Sequence, residues 1–261
     1  MNDNSPGLGR VYFIGAGPGD AELLTIKAAR LIAEADIIIY ADSLINPDVL
    51  KHAAKDALVY TSADRNLEEI TDIIAGAVAA GKTVARLQSG DPGFYGAIRE
   101  QLDALNARGI TGAVVPGVSA LAAVAASLGV ELTVPGISQS VIVTRRRGRT
   151  PVPAAEDLKE LARHRATMAI FLSVDKIEDV VADLIAGGYS HETPAAVVYR
   201  ASFDDEVKIT GSLSNIAARV RRAGINRQAV VMVGQALAAG DSAEKSLLYD
   251  KNFSHGYRGV K

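Results

Sequence analysis

Cysteine is absent from the 261 residues, which excludes disulfides, thiolate metal sites and cysteine nucleophiles together. No run of about 18 consecutive apolar residues occurs, and no charged segment leads into an apolar one at the start of the chain. Neither a membrane span nor a secretory leader is therefore expected, and the protein is placed in the cytoplasm. The four histidines, His52, His164, His191 and His255, form no i,i+4 pair that could clamp a metal from one helical face, so no metal site is expected. Charge of one sign is not in excess either. Lys+Arg 28 against Asp+Glu 30 gives a formal net charge of -2, too balanced for a general nucleic-acid binder, so any polyanion site must be local.

With 48% hydrophobic residues, the chain has material for one large or two medium α/β domains with real cores. Residues 1–10 are polar with Gly and Pro and read as a flexible arm. The first apolar run, Val11-Tyr12-Phe13-Ile14, closes on Gly15-Ala16-Gly17-Pro18-Gly19-Asp20, and a helical stripe with Asp20 as N-cap follows over 21–33. Asp36-Ile37-Ile38-Ile39-Tyr40 is apolar without interruption after its first residue, the mark of a strand buried on both faces of a parallel sheet. Helices over 67–80, 95–108 and 120–128 alternate with strands over 83–87 and 113–115, which implies an open, mostly parallel sheet. The pattern breaks near Val134-Pro135-Gly136. A second series places strands at 140–143, 168–172, 195–199 and 229–233, with helices around 155–164, 177–186 and 215–222. The expectation is two α/β domains, 11–132 and 137–240, joined near 130–137 and followed by a tail over 241–261.

The first loop is close to the dinucleotide fingerprint G-x-G-x-x-G, whose third glycine lets a helix pack on the strand with its N-terminus facing a pyrophosphate. Here the third position is Asp20, whose carboxylate would repel phosphate and occupy the free N–H groups itself. Gly90-Asp91-Pro92-Gly93 and Pro116-Gly117-Val118-Ser119-Ala120 follow two further strands, at the carboxyl edge where open α/β sheets bind ligands. Each loop alone is equally ordinary turn chemistry. Together they suit a ligand that backbone groups approach closely without a Lys or Arg phosphate clamp. S-adenosylmethionine is such a ligand: it has no phosphate, and its sulfonium needs aiming rather than a metal or a thiol. Asp42, after the second strand, could be a general base or a turn acceptor. Arg145-Arg146-Arg147-Gly148-Arg149 sets four arginines in five residues, either a solvated loop or a clamp for several carboxylates. Without interleaved aromatics it does not suit a nucleic acid.

These motifs, together with Tyr40-Ala41-Asp42-Ser43-Leu44, Tyr95-Gly96-Ala97-Ile98, Gly148-Arg149-Thr150-Pro151-Val152-Pro153, Ala166-Thr167-Met168-Ala169-Ile170-Phe171-Leu172-Ser173 and Val198-Tyr199-Arg200-Ala201-Ser202, carry a family resemblance. The chain resembles the tetrapyrrole methylases, and within them the branch that methylates C11 of precorrin-4 in cobalamin synthesis. The tail from Leu248-Tyr249-Asp250 through Phe253, His255, Tyr257 and Arg258 is similar to that branch's ending. The resemblance implies two α/β domains, a homodimer, and S-adenosylmethionine held in the cleft between domains, with S-adenosylhomocysteine as product. It implies a cofactor site at Pro18, Ser89, Gly90, Asp91, Ser119, Ala120, Leu172, Ala201, Ala229 and Val230. It matches Asp42 to a proton acceptor beside the reacting tetrapyrrole; Tyr95, Arg145, Arg146, Arg147 and Arg149 are expected to contact that substrate, the arginines through its peripheral carboxylates. Some relatives pair this aspartate with a lysine on the following segment; Lys51 and Lys55 do not match it, so no proton donor is assigned. A cobalt-containing substrate or another ring carbon is the near alternative to precorrin-4 C11, and a nicotinamide-dependent reductase is the alternative from another class.

Overall fold

Alternating burial decides the first sheet. Its strands are β1 (Val11–Gly15), β2 (Ile37–Tyr40), β3 (Leu58–Thr61), β4 (Val84–Gln88) and β5 (Gly112–Val115), in the order β3-β2-β4-β1-β5 with every pairing parallel. Phe13, Ile37, Ile39 and Val84 pack to one side with α2 (Leu67–Ala79) and α3 (Ile98–Asn106). Ile14, Ile38, Ala85 and Leu87 pack to the other with α1 (Ile26–Ala33). Successive side chains of a strand face opposite ways, so helices on both sides require unbroken apolar runs. Each large side chain so buried contributes roughly 1.5–3 kcal/mol. α2 starts where Asn66 and Glu69 cap each other reciprocally, through Glu69 N–H to Asn66 Oδ1 at 3.0 Å and Asn66 N–H to Glu69 Oε2 at 2.8 Å.

The structure, a computed structural model, describes residues 9–238 together with Ser246, Phe253, Ser254 and Gly256. The expected arm up to residue 8, and Leu248, Tyr249, Asp250, His255, Tyr257 and Arg258 of the tail, lie outside the described residues. By their contacts the described residues form two units. One runs to Ala123 and also includes Arg200–Glu206; the other holds Val124–Tyr199 and the described residues from Val207 onward. The division therefore falls inside α4 (Ala120–Leu128), and a seven-residue loop far along the chain joins the first unit.

In the second unit β6 (Val141–Arg145), β7 (Thr167–Phe171), β8 (Pro194–Tyr199), β9 (Val207–Ser212) and β10 (Ala229–Val233) form a mixed sheet in the order β6-β7-β10-β8-β9. β6 and β7 are parallel, β10 runs antiparallel to both its neighbours, and β8 and β9 form an antiparallel pair. α5 (Leu158–Ala162), α6 (Ile177–Ala186) and α7 (Ile216–Arg222) pack together over Met168, Ile170, Val197, Val231 and Val233. Among the described residues no helix is long and apolar enough to cross a membrane.

Two helices differ from the sequence expectation for identifiable reasons. The stripe over 21–33 is a short 3-10 turn, Ala21–Leu23, followed by α1, because Leu24 is extended and Thr25 starts a new helix by accepting from Ala28 N–H at 3.1 Å. The helix expected from residue 95 begins at Ile98, because Tyr95 and Ala97 hold left-handed backbone angles, φ 56 and 48. β3 and β9 are strands that the sequence reading does not name. Leu58 and Val59 of β3 are about half exposed, as on a sheet edge, so its apolar pattern signals no core.

Candidate functional site

β4, β1 and β5 are adjacent in the first sheet, so three loops spread over about a hundred residues of chain meet at its carboxyl edge. Gly17 and Gly90 exchange backbone bonds, Gly90 N–H to Gly17 O at 2.8 Å and Gly17 N–H to Gly90 O at 3.2 Å, with φ of 76 and 65. A Cβ on Gly15 would stand 2.5 Å from the Gly117 nitrogen and 2.7 Å from the Gly90 oxygen. One on Gly117 would stand 2.7 Å from the Gly15 Cα. These glycines thus let backbone approach backbone. Asp91 ties the assembly, accepting from Gly93 N–H through Oδ1 and from Gly117 N–H through Oδ2, both at 2.8 Å. Pro18 and Gly90 are buried, Ser119 and Ala120 half-buried, and Ser89 exposed.

The first loop is closed to a diphosphate. Asp20 accepts Glu22 N–H at 2.8 Å, and its own N–H is donated to Ser202 Oγ at 3.0 Å. Phe203 packs its ring on Gly19, where a Cβ would come within 2.6 Å of the ring Cε2. Only the short 3-10 turn follows the glycines, and α1, with the dipole that a pyrophosphate needs, starts beyond it at Ile26. Ala201, in the same loop as Ser202, is buried. None of the three strand-end loops contains a lysine or arginine.

Asp42 is exposed in a turn after β2, and Thr61 Oγ1 donates to its Oδ1 at 2.8 Å. The parallel register pairs Tyr40 with Thr61, which sets the two strand ends level and brings that hydroxyl to the carboxylate. Thr61 is a partner of Asp42 that spacing alone does not reveal, since it depends on the pairing of β2 with β3. Tyr95 is exposed.

A polar cluster lies beneath the loop after β4. Arg86, 7% exposed, donates through Nε to Gln101 Oε1 at 3.1 Å and through Nη1 to the carbonyls of Leu87 at 3.3 Å and Ile39 at 3.4 Å. Burial pushes its guanidinium down to about 10, still charged at neutral pH. Two residues along the strand, the Nε2 of Gln88 is buried without an acceptor among the described residues, a donor that a bound ligand or a water would satisfy. A lone cation inside the apolar run Val84-Ala85-Arg86-Leu87 is the sequence signal that marks this cluster.

The arginine run of the second unit is largely committed to its own fold. Arg145 donates to the carbonyls of Thr150 and Pro151 at 3.3 and 2.7 Å. Arg146 bonds Asp183 at 2.5 Å and lies 3.4 Å from Asp179, and Arg147 pairs with Asp157. Arg149 has no such partner among the described residues and is exposed, at a cavity of about 340 Å³ lined with it by Arg147, Gly148, Pro151, Val152 and Ala154. Elsewhere in this unit Leu172 is 69% exposed with φ 52, while Ala229 and Val230 are buried in β10, registered with Tyr199 and Val198 of β8.

A parallel sheet flanked by helices, with loops from three adjacent strands locked together at its carboxyl edge and an aspartate turn beyond them, defines an α/β protein built to hold a small molecule at that edge. The family model of the tetrapyrrole (corrin/porphyrin) methylases matches residues 10–217, and the chain belongs to that family. It is 54% identical over 249 residues to the cobalt-precorrin-4 C(11)-methyltransferase of Methanocaldococcus jannaschii, covering 95% of this chain and 96% of that one. It is 45% identical over 248 residues to the precorrin-4 C(11)-methyltransferase of Pseudomonas aeruginosa, covering 95% and 98%. Among solved structures, a cobalt-precorrin-4 methyltransferase of cobalamin biosynthesis matches with a TM-score of 0.85 at 41% identity, over 87% of this chain and 95% of that one. The uroporphyrin-III C-methyltransferase of Thermus thermophilus, solved with S-adenosylhomocysteine, matches with a TM-score of 0.73 at 29% identity, over 88% and 93%.

Proposed function

We propose that this protein methylates C11 of precorrin-4 to give precorrin-5 in cobalamin biosynthesis, as a cytoplasmic homodimer that uses S-adenosylmethionine. The observation that carries the reading is the near-full-length relationship to two C11-methyltransferases. S-adenosylmethionine supplies a methyl activated by a sulfonium, which C11 of the macrocycle attacks, leaving S-adenosylhomocysteine. The residues fit that group. Strand-end loops without lysine or arginine impose no repulsion on a sulfonium, a closed first loop offers no diphosphate seat, and the Gln88 amide nitrogen has no acceptor among the described residues. The cofactor is assigned to Pro18, Ser89, Gly90, Asp91, Ser119, Ala120 and Ala201, whose packing holds the reactive methyl in one place, the main source of rate for such a transfer.

Asp42, steadied by Thr61, is assigned the proton released from the ring or the orientation of that ring. The exposed Tyr95 offers a flat face to a flat substrate. Arg149, beside its cavity, is assigned a peripheral carboxylate, with Arg147 next to it. Arg145 and Arg146 act by shaping that loop. A second reading, cobalt-precorrin-4 as the substrate, is favoured by the name of the Methanocaldococcus jannaschii relative.

Calorimetry with S-adenosylhomocysteine and with NADPH tests the class: the first is expected to bind and the second not, and the reverse refutes a methylase. Incubation with precorrin-4 or cobalt-precorrin-4 and methyl-labelled cofactor, followed by NMR, then locates the new methyl and ranks the two substrates. A label on any carbon but C11 refutes the assignment.

A further inference from the structure

The turn between β4 and α3 is held in a conformation its own sequence does not favour. Tyr95 and Ala97, neither of them glycine, both take left-handed backbone angles, a strain that persists only where surroundings over-determine it. Ala97 also stands at the N-cap of α3, yet no side chain caps that helix start. Asp91 holds the start of the turn, through Gly93 N–H and Phe94 N–H, and Gln101, one helical turn onward from Ala97, holds its end. Its Nε2 donates to the Ala97 carbonyl at 3.0 Å, and its Oε1 accepts from Arg86 Nε at 3.1 Å. Gln101 and Arg86 are 6% and 7% exposed, so the bond between them is shielded from water, while the bond to the exposed Ala97 is shielded in part. Arg86 in turn reaches the carbonyl of Ile39, three residues before Asp42. One buried guanidinium thus connects the strand leading to the aspartate turn with the turn carrying Phe94 and Tyr95, which are 44% and 43% exposed.

We propose that Arg86 and Gln101 are positioning residues for the tetrapyrrole: they set the aromatic turn over 92–97 against the end of β2, and so fix where the macrocycle lies relative to Asp42. This rests on the methyltransferase reading. Neither residue touches the reacting atoms. An ion pair or a hydrophobic plug would stabilise a buried strand without directing a turn. A planar fork bonded to a carboxamide fixes both distance and angle.

Gln101→Met removes the acceptor for Arg86 and the donor to Ala97, whereas Gln101→Glu keeps the acceptor and loses the donor. In Gln101→Met, which loses both hydrogen bonds, the KM for precorrin-4 is expected to rise about tenfold or more, with affinity for S-adenosylhomocysteine by calorimetry unchanged. Gln101→Glu should show a smaller rise, and Arg86→Lys should behave like Gln101→Met. Hydrogen exchange at residues 93–97 should quicken in the same order, a readout independent of turnover. An unchanged KM, or a cofactor affinity that weakens in step with KM, overturns the proposal. Should Gln101→Met fail to fold, the same two results in Gln101→Glu overturn it. A wild-type protein that does not methylate precorrin-4 sinks the functional reading itself, whereas normal wild-type turnover beside variants of unchanged KM sinks only the positioning role.

Discussion

The glycine loops of the first unit and the arginine loop of the second are both dense in one residue type, and they use it in opposite ways. At the edge of the first sheet the crowding is backbone on backbone: Gly15 and Gly117 leave no room for a Cβ, and Gly90 holds a left-handed φ of 65. In the arginine loop the constraint is side-chain charge: Arg145, Arg146 and Arg147 are taken by carbonyls and carboxylates, and only Arg149 has no partner among the described residues, while a Cβ on Gly148 would meet open space. The difference teaches that residue counts overstate recognition. A motif's atoms bind a ligand only after the fold's own demands on them are met.

The largest effect that should separate the two regions comes from adding one carbon to each. Gly117→Ala drives a methyl into the Gly90 carbonyl and should cost about 3 kcal/mol or more. Gly148→Ala should stay within about 0.5 kcal/mol, and urea denaturation of both reads the contrast. Equal losses would break the comparison. Next, Asp42→Asn is expected to slow methyl transfer about a hundredfold while calorimetric affinity for S-adenosylhomocysteine holds; unchanged turnover would return Asp42 to a turn acceptor. Thr61→Val, which leaves the carboxylate and removes its donor, should slow the reaction less.

The second unit has a shielded polar contact of its own. Tyr189 donates its hydroxyl to the Ala166 carbonyl, and burial pushes its pKa from 10.0 to about 12. The fold favours the protonated phenol, so this contribution is whole below pH 10 and is lost as pH rises towards 12. Urea titrations at stepped pH should show that decline steeper in wild type than in Tyr189→Phe, and identical slopes would remove Tyr189 as the cause. The smallest effect distinguishes arginines within one loop. Arg149→Ala should raise the tetrapyrrole KM about tenfold with the melting temperature unchanged, whereas Arg146→Ala should cost stability, about 1 kcal/mol, through Asp183. The opposite pattern would reverse their roles.

Much of the fold was legible because burial on both faces leaves a run such as Ile37-Ile38-Ile39 no alternative. Edge strand β3, half exposed, carries no such imprint. Asp20 was readable as hostile to phosphate from its charge alone, but that Ser202 would also take its N–H was not, because 182 residues of chain separate them.

By itself the sequence determined the rhythm of strands and helices, the places where loops end strands, and a family membership carried by local strings. These follow from periodicity and side-chain chemistry, which act between near neighbours in the chain. Only the tertiary structure decided that β4, β1 and β5 lie side by side, that Thr61 meets Asp42, that Arg86 and Gln101 share a buried bond, and that three of four arginines are spent within their own unit. Each of those depends on strand order and register, which arise from packing whole surfaces together.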